Sequence, residues 1–72
     1  MFYYKVVSSH WPTDMEFKSN IKLEKGQCFR VKSHNGTRHY PTRLKVVDIS
    51  DKPTYKGNIV NILSVDTNVE SF

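Results

Sequence analysis

Apolar and polar residues alternate most cleanly over residues 28–33, where Phe29 and Val31 fall on one side and Arg30 and Lys32 on the other. A period of two marks a strand with one face buried and one in water. Asn35 and Gly36 follow directly. Both central residues of a type I′ turn take positive φ, which Asn-Gly tolerates best, so this dipeptide predicts a tight hairpin. The return strand is then 37–40, and Pro41 ends it or puts it at a sheet edge.

The rest of the chain reads in the same way. Residues 2–7 are aromatic and β-branched, as a strand favours. Residues 8–14 read as a loop, with Trp11 held extended by Pro12 and expected to cap one end of the core. Residues 15–18 predict a short second strand and 21–23 a short extended piece. Residues 24–27 predict a turn in which Gly26 takes positive φ. Residues 44–49 predict another strand, 50–54 a polar loop, and 57–65 a final strand rich in Ile and Val. In that last stretch Ile59, Ile62 and Leu63 also fit helical spacing, and Asn58 fits a helix cap. The β-branched residues favour the strand. Residues 66–72 are expected to be a frayed tail.

Five or six short strands with turn signals about every ten residues predict an all-β fold. The expected form is a small single-domain barrel, or a strongly bent antiparallel sheet, of about five strands spanning 1–72. The expected core is Phe2, Tyr4, Val6, Leu23, Phe29, Val31, Leu44, Val46, Ile59 and Ile62. A chain of this length buries only about 60% of its unfolded surface. A partner or a homodimer is one way for so small a core to gain burial.

Composition removes several classes. Cys28 is the single cysteine, so no disulfide framework within the chain is possible and a cytoplasmic setting is expected. No apolar run approaches the roughly 20 residues of a membrane helix. Residues 1–7 lack a basic region followed by an apolar stretch, so no secretory leader is expected.

Charge changes the picture more. Between Phe17 and Lys45 stand eight Lys or Arg and one acid, Glu24, while the whole chain carries a net charge of only +4. Positive charge gathered in the middle of the chain points to a face for a polyanion. The candidate binding residues are Arg30, Lys32, Arg38, His39, Tyr40, Arg43 and Lys45. Basic side chains neutralise phosphates, and His39 and Tyr40 offer stacking faces for bases. The competing reading is that these are solvated outward positions of amphipathic strands.

Chemistry beyond binding has little support. A nucleophile needs a base held beside it, and Cys28 has no evident orienting partner, so it is expected to pack. Cys28, His34 and His39 match no zinc spacing. Asp14 and Glu16 read as a solvated pair. The three glycines are scattered and form no phosphate loop. No catalytic residue, metal or cofactor is expected.

Residues 23–31, Leu-Glu-Lys-Gly-Gln-Cys-Phe-Arg-Val, resemble the strand entry of many small SH3-like barrels. With the strands at 2–7 and 44–49, the order over residues 2–49 is distantly similar to the N-terminal DNA-binding domain of replication-restart (primosomal) helicases. The resemblance implies a barrel, with nucleic-acid binding as one option. Helicase activity is not carried over, because the resemblance covers only residues 2–49 and no helicase domain is expected after it. The expected function is a non-catalytic module that binds nucleic acid through its central basic face. The alternative is a small protein-interaction module, a regulator or inhibitor docking on an acidic protein surface. A basic chain of this kind would suit a phage or mobile element. No membrane partner is expected.

Overall fold

A computed structural model describes residues 1–10, 14–36 and 42–72. Five strands form: β1 (Phe2–Ser8), β2 (Met15–Ser19), β3 (Cys28–Asn35), β4 (Leu44–Ser50) and β5 (Val60–Asp66). They close into a barrel in the ring order β1-β2-β5-β3-β4. Strand direction cannot alternate all the way round a ring of odd number, so one neighbouring pair must run parallel. That pair is β2 and β5, joined over Phe17–Val60, Lys18–Asn61 and Ser19–Ile62. The other four pairings are antiparallel.

Alternation sets which side chains enter the barrel. In β1, Tyr4, Val6 and Ser8 are buried while Tyr3, Lys5 and Val7 are half-buried between them. In β2 the buried pair is Phe17 and Ser19, and in β4 it is Leu44 and Val46. Two irregularities break the ladders. Opposite β1, the register shifts between Lys5 and Val6, which leaves Val47 between paired positions of β4. Opposite β5, the register of β3 shifts twice in succession, so that Lys32 and Leu63 fall outside the paired positions. Both are exposed. Such bulges bend a strand and raise its twist, which a narrow barrel requires.

One end of the barrel is closed by two buried hydroxyls. The Tyr4 hydroxyl donates to the Ile21 carbonyl at 2.6 Å and accepts from the Leu23 amide at 2.9 Å. Ser19 Oγ donates to the Ile62 carbonyl at 2.7 Å and accepts from the Ile21 amide at 3.1 Å. These bonds supply main-chain partners that no neighbouring strand gives the 20–23 segment. Leu23 is thereby turned into the core. The next turn forms as expected: the Gln27 amide donates to the Glu24 carbonyl at 3.0 Å, and Gly26 sits at φ +87°. Hydrogen bonds from Gly26 to Val46 and from Val46 to Gln27 tie this turn to β4.

The core is Tyr4, Val6, Phe17, Leu23, Phe29, Leu44, Val46 and Ile62, with Phe2 and Val31 packed against it. Ile59, expected inside, is half-buried. Phe17 and Cys28 are buried although the core expected from sequence omitted them. The last segment is a strand, so the helical spacing of Ile59, Ile62 and Leu63 does not decide it.

The turn at Asn35-Gly36 differs from expectation. Among the described residues positive φ occurs at Gly26 and Gly36, and at no residue other than glycine. Asn35 therefore lacks the left-handed conformation of a type I′ turn. The reason is that Asn35 is still part of β3 and pairs with Asn61 of β5. Strand pairing holds it extended. Trp11 and the predicted return strand 37–40 lie outside the described residues.

Candidate functional site

Of the candidate binding residues singled out by the sequence, Arg30, Lys32, Arg43 and Lys45 are described; Arg38, His39 and Tyr40 lie outside the described residues. Arg30 is exposed on β3 and stands opposite Asp66 of β5. Lys32 is exposed on the same strand, at the bulge. Lys45 is an outward position of β4, opposite Val7 of β1 and Cys28 of β3.

Arg43 precedes β4, and the end of β1 holds its backbone and the side chain of its neighbour in place. Its carbonyl accepts the Ser9 amide at 3.0 Å. Next to it, the hydroxyls of Thr42 and Ser8 bond at 2.9 Å, and Ser8 Oγ also accepts the His10 amide at 3.0 Å. The end of β1 thus positions the start of β4. As a result Arg30 and Arg43 face one open groove of about 450 Å³, whose rim also carries His10, Asp66 and Glu70.

The segment after β5 turns back over these cations. Asp66 Oδ1 accepts the Asn68 amide at 3.0 Å, an Asx-type turn that redirects the chain. Arg43 Nη1 then donates to the Glu70 carbonyl at 3.2 Å and lies 3.8 Å from the Glu70 carboxylate. The Phe72 ring is met by two cations, the Arg43 guanidinium at 5.6 Å and Lys45 Nζ at 4.8 Å from its centroid. Lys45 Nζ also donates to the main-chain oxygen of Phe72. The Glu70 side chain is 94% exposed, so its ion pair is heavily screened and holds the segment weakly.

The groove is therefore mixed in charge. Arg30 and Arg43 stand with Asp66 and Glu70, rather than as one uniformly positive face. In the sequence the acids belong to a separate stretch. The antiparallel register of β3 with β5 carries Asp66 to Arg30, and the returning segment carries Glu70 to Arg43. Lys32 falls outside the paired positions of β3 and β5, and Lys45 stands opposite Val7 and Cys28, so no carboxylate faces either of them across a ladder.

At the far side of the barrel, Glu16 serves a structural purpose. Its carboxylate accepts bonds from the Thr54 hydroxyl at 2.7 Å, the Tyr55 amide at 2.9 Å and the Thr54 amide at 3.2 Å. Lys5 of β1 stands opposite it and also opposite Asp48 of β4. Partial desolvation pushes the Glu16 carboxyl up, but the hydroxyl and amide bonds together with the Lys5 charge outweigh it and hold the group below the usual carboxylate range. Among the described residues, no three His, Cys, Asp or Glu side chains gather closely enough to hold a metal ion. None of the described residues forms a helix long and apolar enough to cross a membrane.

The sequence did not single out His10, Asp66 and Glu70 of the groove, nor Phe72, whose ring lies against Arg43 and Lys45. Their signal was weak. Two acids and a ring in a short polar segment become informative once β5 is known to neighbour β3. Comparison of the chain with protein-family models, curated proteins and solved structures finds no match.

Proposed function

We propose that this barrel is a non-catalytic module that binds nucleic acid across the outer face of β3 and the start of β4. The observation that carries the reading is the occupancy of Arg43 and Lys45. They hold a carboxylate-bearing residue and an aromatic ring together, beside a groove that Arg30 also enters. A nucleotide offers the same two features, an anion and a flat π face, so phosphate would take the guanidinium and a base the cation-backed ring position. Arg30 and Lys32 extend the charge along β3.

The test is a titration of labelled single- and double-stranded oligonucleotides at roughly 50 mM salt, where electrostatic binding is strongest. Binding in the micromolar range is expected, weakening steeply with salt. Changing Arg30 and Arg43 together to Gln should weaken it for all sequences and lower the salt slope by up to about one unit per lost phosphate contact. Absence of binding at tens of micromolar would remove the reading.

A second reading is favoured by one fact: the occupant of Arg43 and Lys45 is itself a stretch of polypeptide. An acidic, aromatic segment of another protein would fit in the same manner. Its binding would survive salt better, because an aromatic anchor and a main-chain bond are less screened than phosphate contacts.

A further inference from the structure

We infer that residues 67–72 act as a built-in competitor, a strap that lies on the binding face and must leave it when nucleic acid arrives. This rests on the reading above and concerns the regulation of the same groove. Five contacts converge to place the strap: the ion pair and the carbonyl bond from Arg43 to Glu70, the Phe72 ring against Arg43 and against Lys45, and the bond from Lys45 to the Phe72 main chain. The Asp66–Asn68 turn aims the strap at this face rather than away from it.

The strap is built to yield. Its carboxylate is almost fully in water, and no residue from 67 to 72 belongs to the buried core. Yet it is tethered, so its effective concentration at Arg43 is high and a free anion competes poorly against it. A single phosphate gains one contact and must expel both a carboxylate and a ring. An oligonucleotide reaches Arg30 and Lys32 as well as Arg43 and Lys45, and that added binding drives displacement. The strap therefore screens out small anions and passes a ligand that spans several cations. Only the open fraction of molecules is competent to bind, so apparent affinity is reduced by that fraction.

The experiment compares three chains with a labelled oligo(dT) of about 15 nucleotides: the full chain, the full chain carrying Glu70→Gln and Phe72→Ala, and a chain shortened after Asp66. Removal of the strap should tighten binding by about three- to tenfold at roughly 50 mM salt. The gain should shrink as salt rises, because salt already loosens the ion pair. Proton NMR gives a readout independent of affinity. In the free full chain the ring current of Phe72 should shift the Lys45 ε-methylene protons upfield. That shift should be absent in Phe72→Ala and vanish on saturation with oligonucleotide, but persist in excess inorganic phosphate. Equal affinities for all three chains, or a Lys45 shift that persists in the saturated complex, would overturn the strap and leave the groove reading intact. Absence of binding by all three would overturn both.

Discussion

Removing a single oxygen atom from Tyr4 tests how the barrel end is closed. Tyr4 is 1% exposed, and its hydroxyl serves the Ile21 carbonyl and the Leu23 amide at once. Phe at this position keeps the ring and its apolar burial, so the transfer contribution is nearly unchanged. What is lost is the partner of two main-chain groups. The Leu23 bond is fully buried, and leaving that N–H unsatisfied costs about 1–3 kcal/mol. The Ile21 carbonyl is only part-buried and can recruit water, which limits its share to about 1 kcal/mol. Tyr4→Phe should therefore destabilise the fold by about 2–4 kcal/mol. A chain of this length has a total of only about 4–11 kcal/mol. Urea denaturation should show a lower midpoint with an unchanged slope, since the surface exposed on unfolding is the same. Amide exchange should accelerate most at Leu23. A loss below about 0.5 kcal/mol, with Leu23 still protected, would refute the claim that this hydroxyl holds the 20–23 segment.

Gly26→Ala meets no atom within 4 Å, so any cost comes from φ +87° alone; a loss of about 1–2 kcal/mol in urea is expected, and none would mean the turn adopts another conformation. The Glu16 carboxyl is depressed in the folded state, so its stabilisation is complete above the ordinary carboxylate pKa of about 4.3 and is lost as pH falls through the lower folded value. The melting temperature of the native chain should therefore drop relative to Glu16→Gln between about pH 5 and pH 3, and parallel pH profiles would show that the bonds to Thr54 and Tyr55 do not hold in solution.

How much of this was legible in the sequence depended on whether the information was local. The orientation of β3 could be read directly, because Phe29 and Val31 alternate with Arg30 and Lys32. The Gly26 turn was equally plain. Phe17 was harder, since Glu16 and Lys18 flank it and one ring in a charged stretch does not announce a core position. Cys28 and Phe29 are adjacent and both buried, which no strict alternation can foresee. Ser8 and Ser19 are buried by virtue of their hydrogen bonds, not their hydrophobicity. Asn35-Gly36 misled because local turn preference gave way to pairing with a strand that begins some 25 residues later. The groove failed to appear for the same reason. Arg30, Lys32, Arg43 and Lys45 were visible as outward cations, but their acidic neighbours arrive through β5, a strand adjacent in space to β3 and remote in sequence.

That remoteness of β5 also fixes the order in which the protein can become whole. β1 pairs with β2, β3 with β4, and β1 with β4, so a growing chain can assemble β2-β1-β4-β3 as an open sheet before Val60 has been made. Both borders of that sheet are then raw, with main-chain donors and acceptors waiting on β2 and β3. β5 is the stave that meets both borders at once, parallel to one and antiparallel to the other. Closure thus falls to the last of the five described strands in chain order and happens on two sides together. Until then the nascent chain carries two edges that another chain could occupy, and afterwards β5 pairs with both.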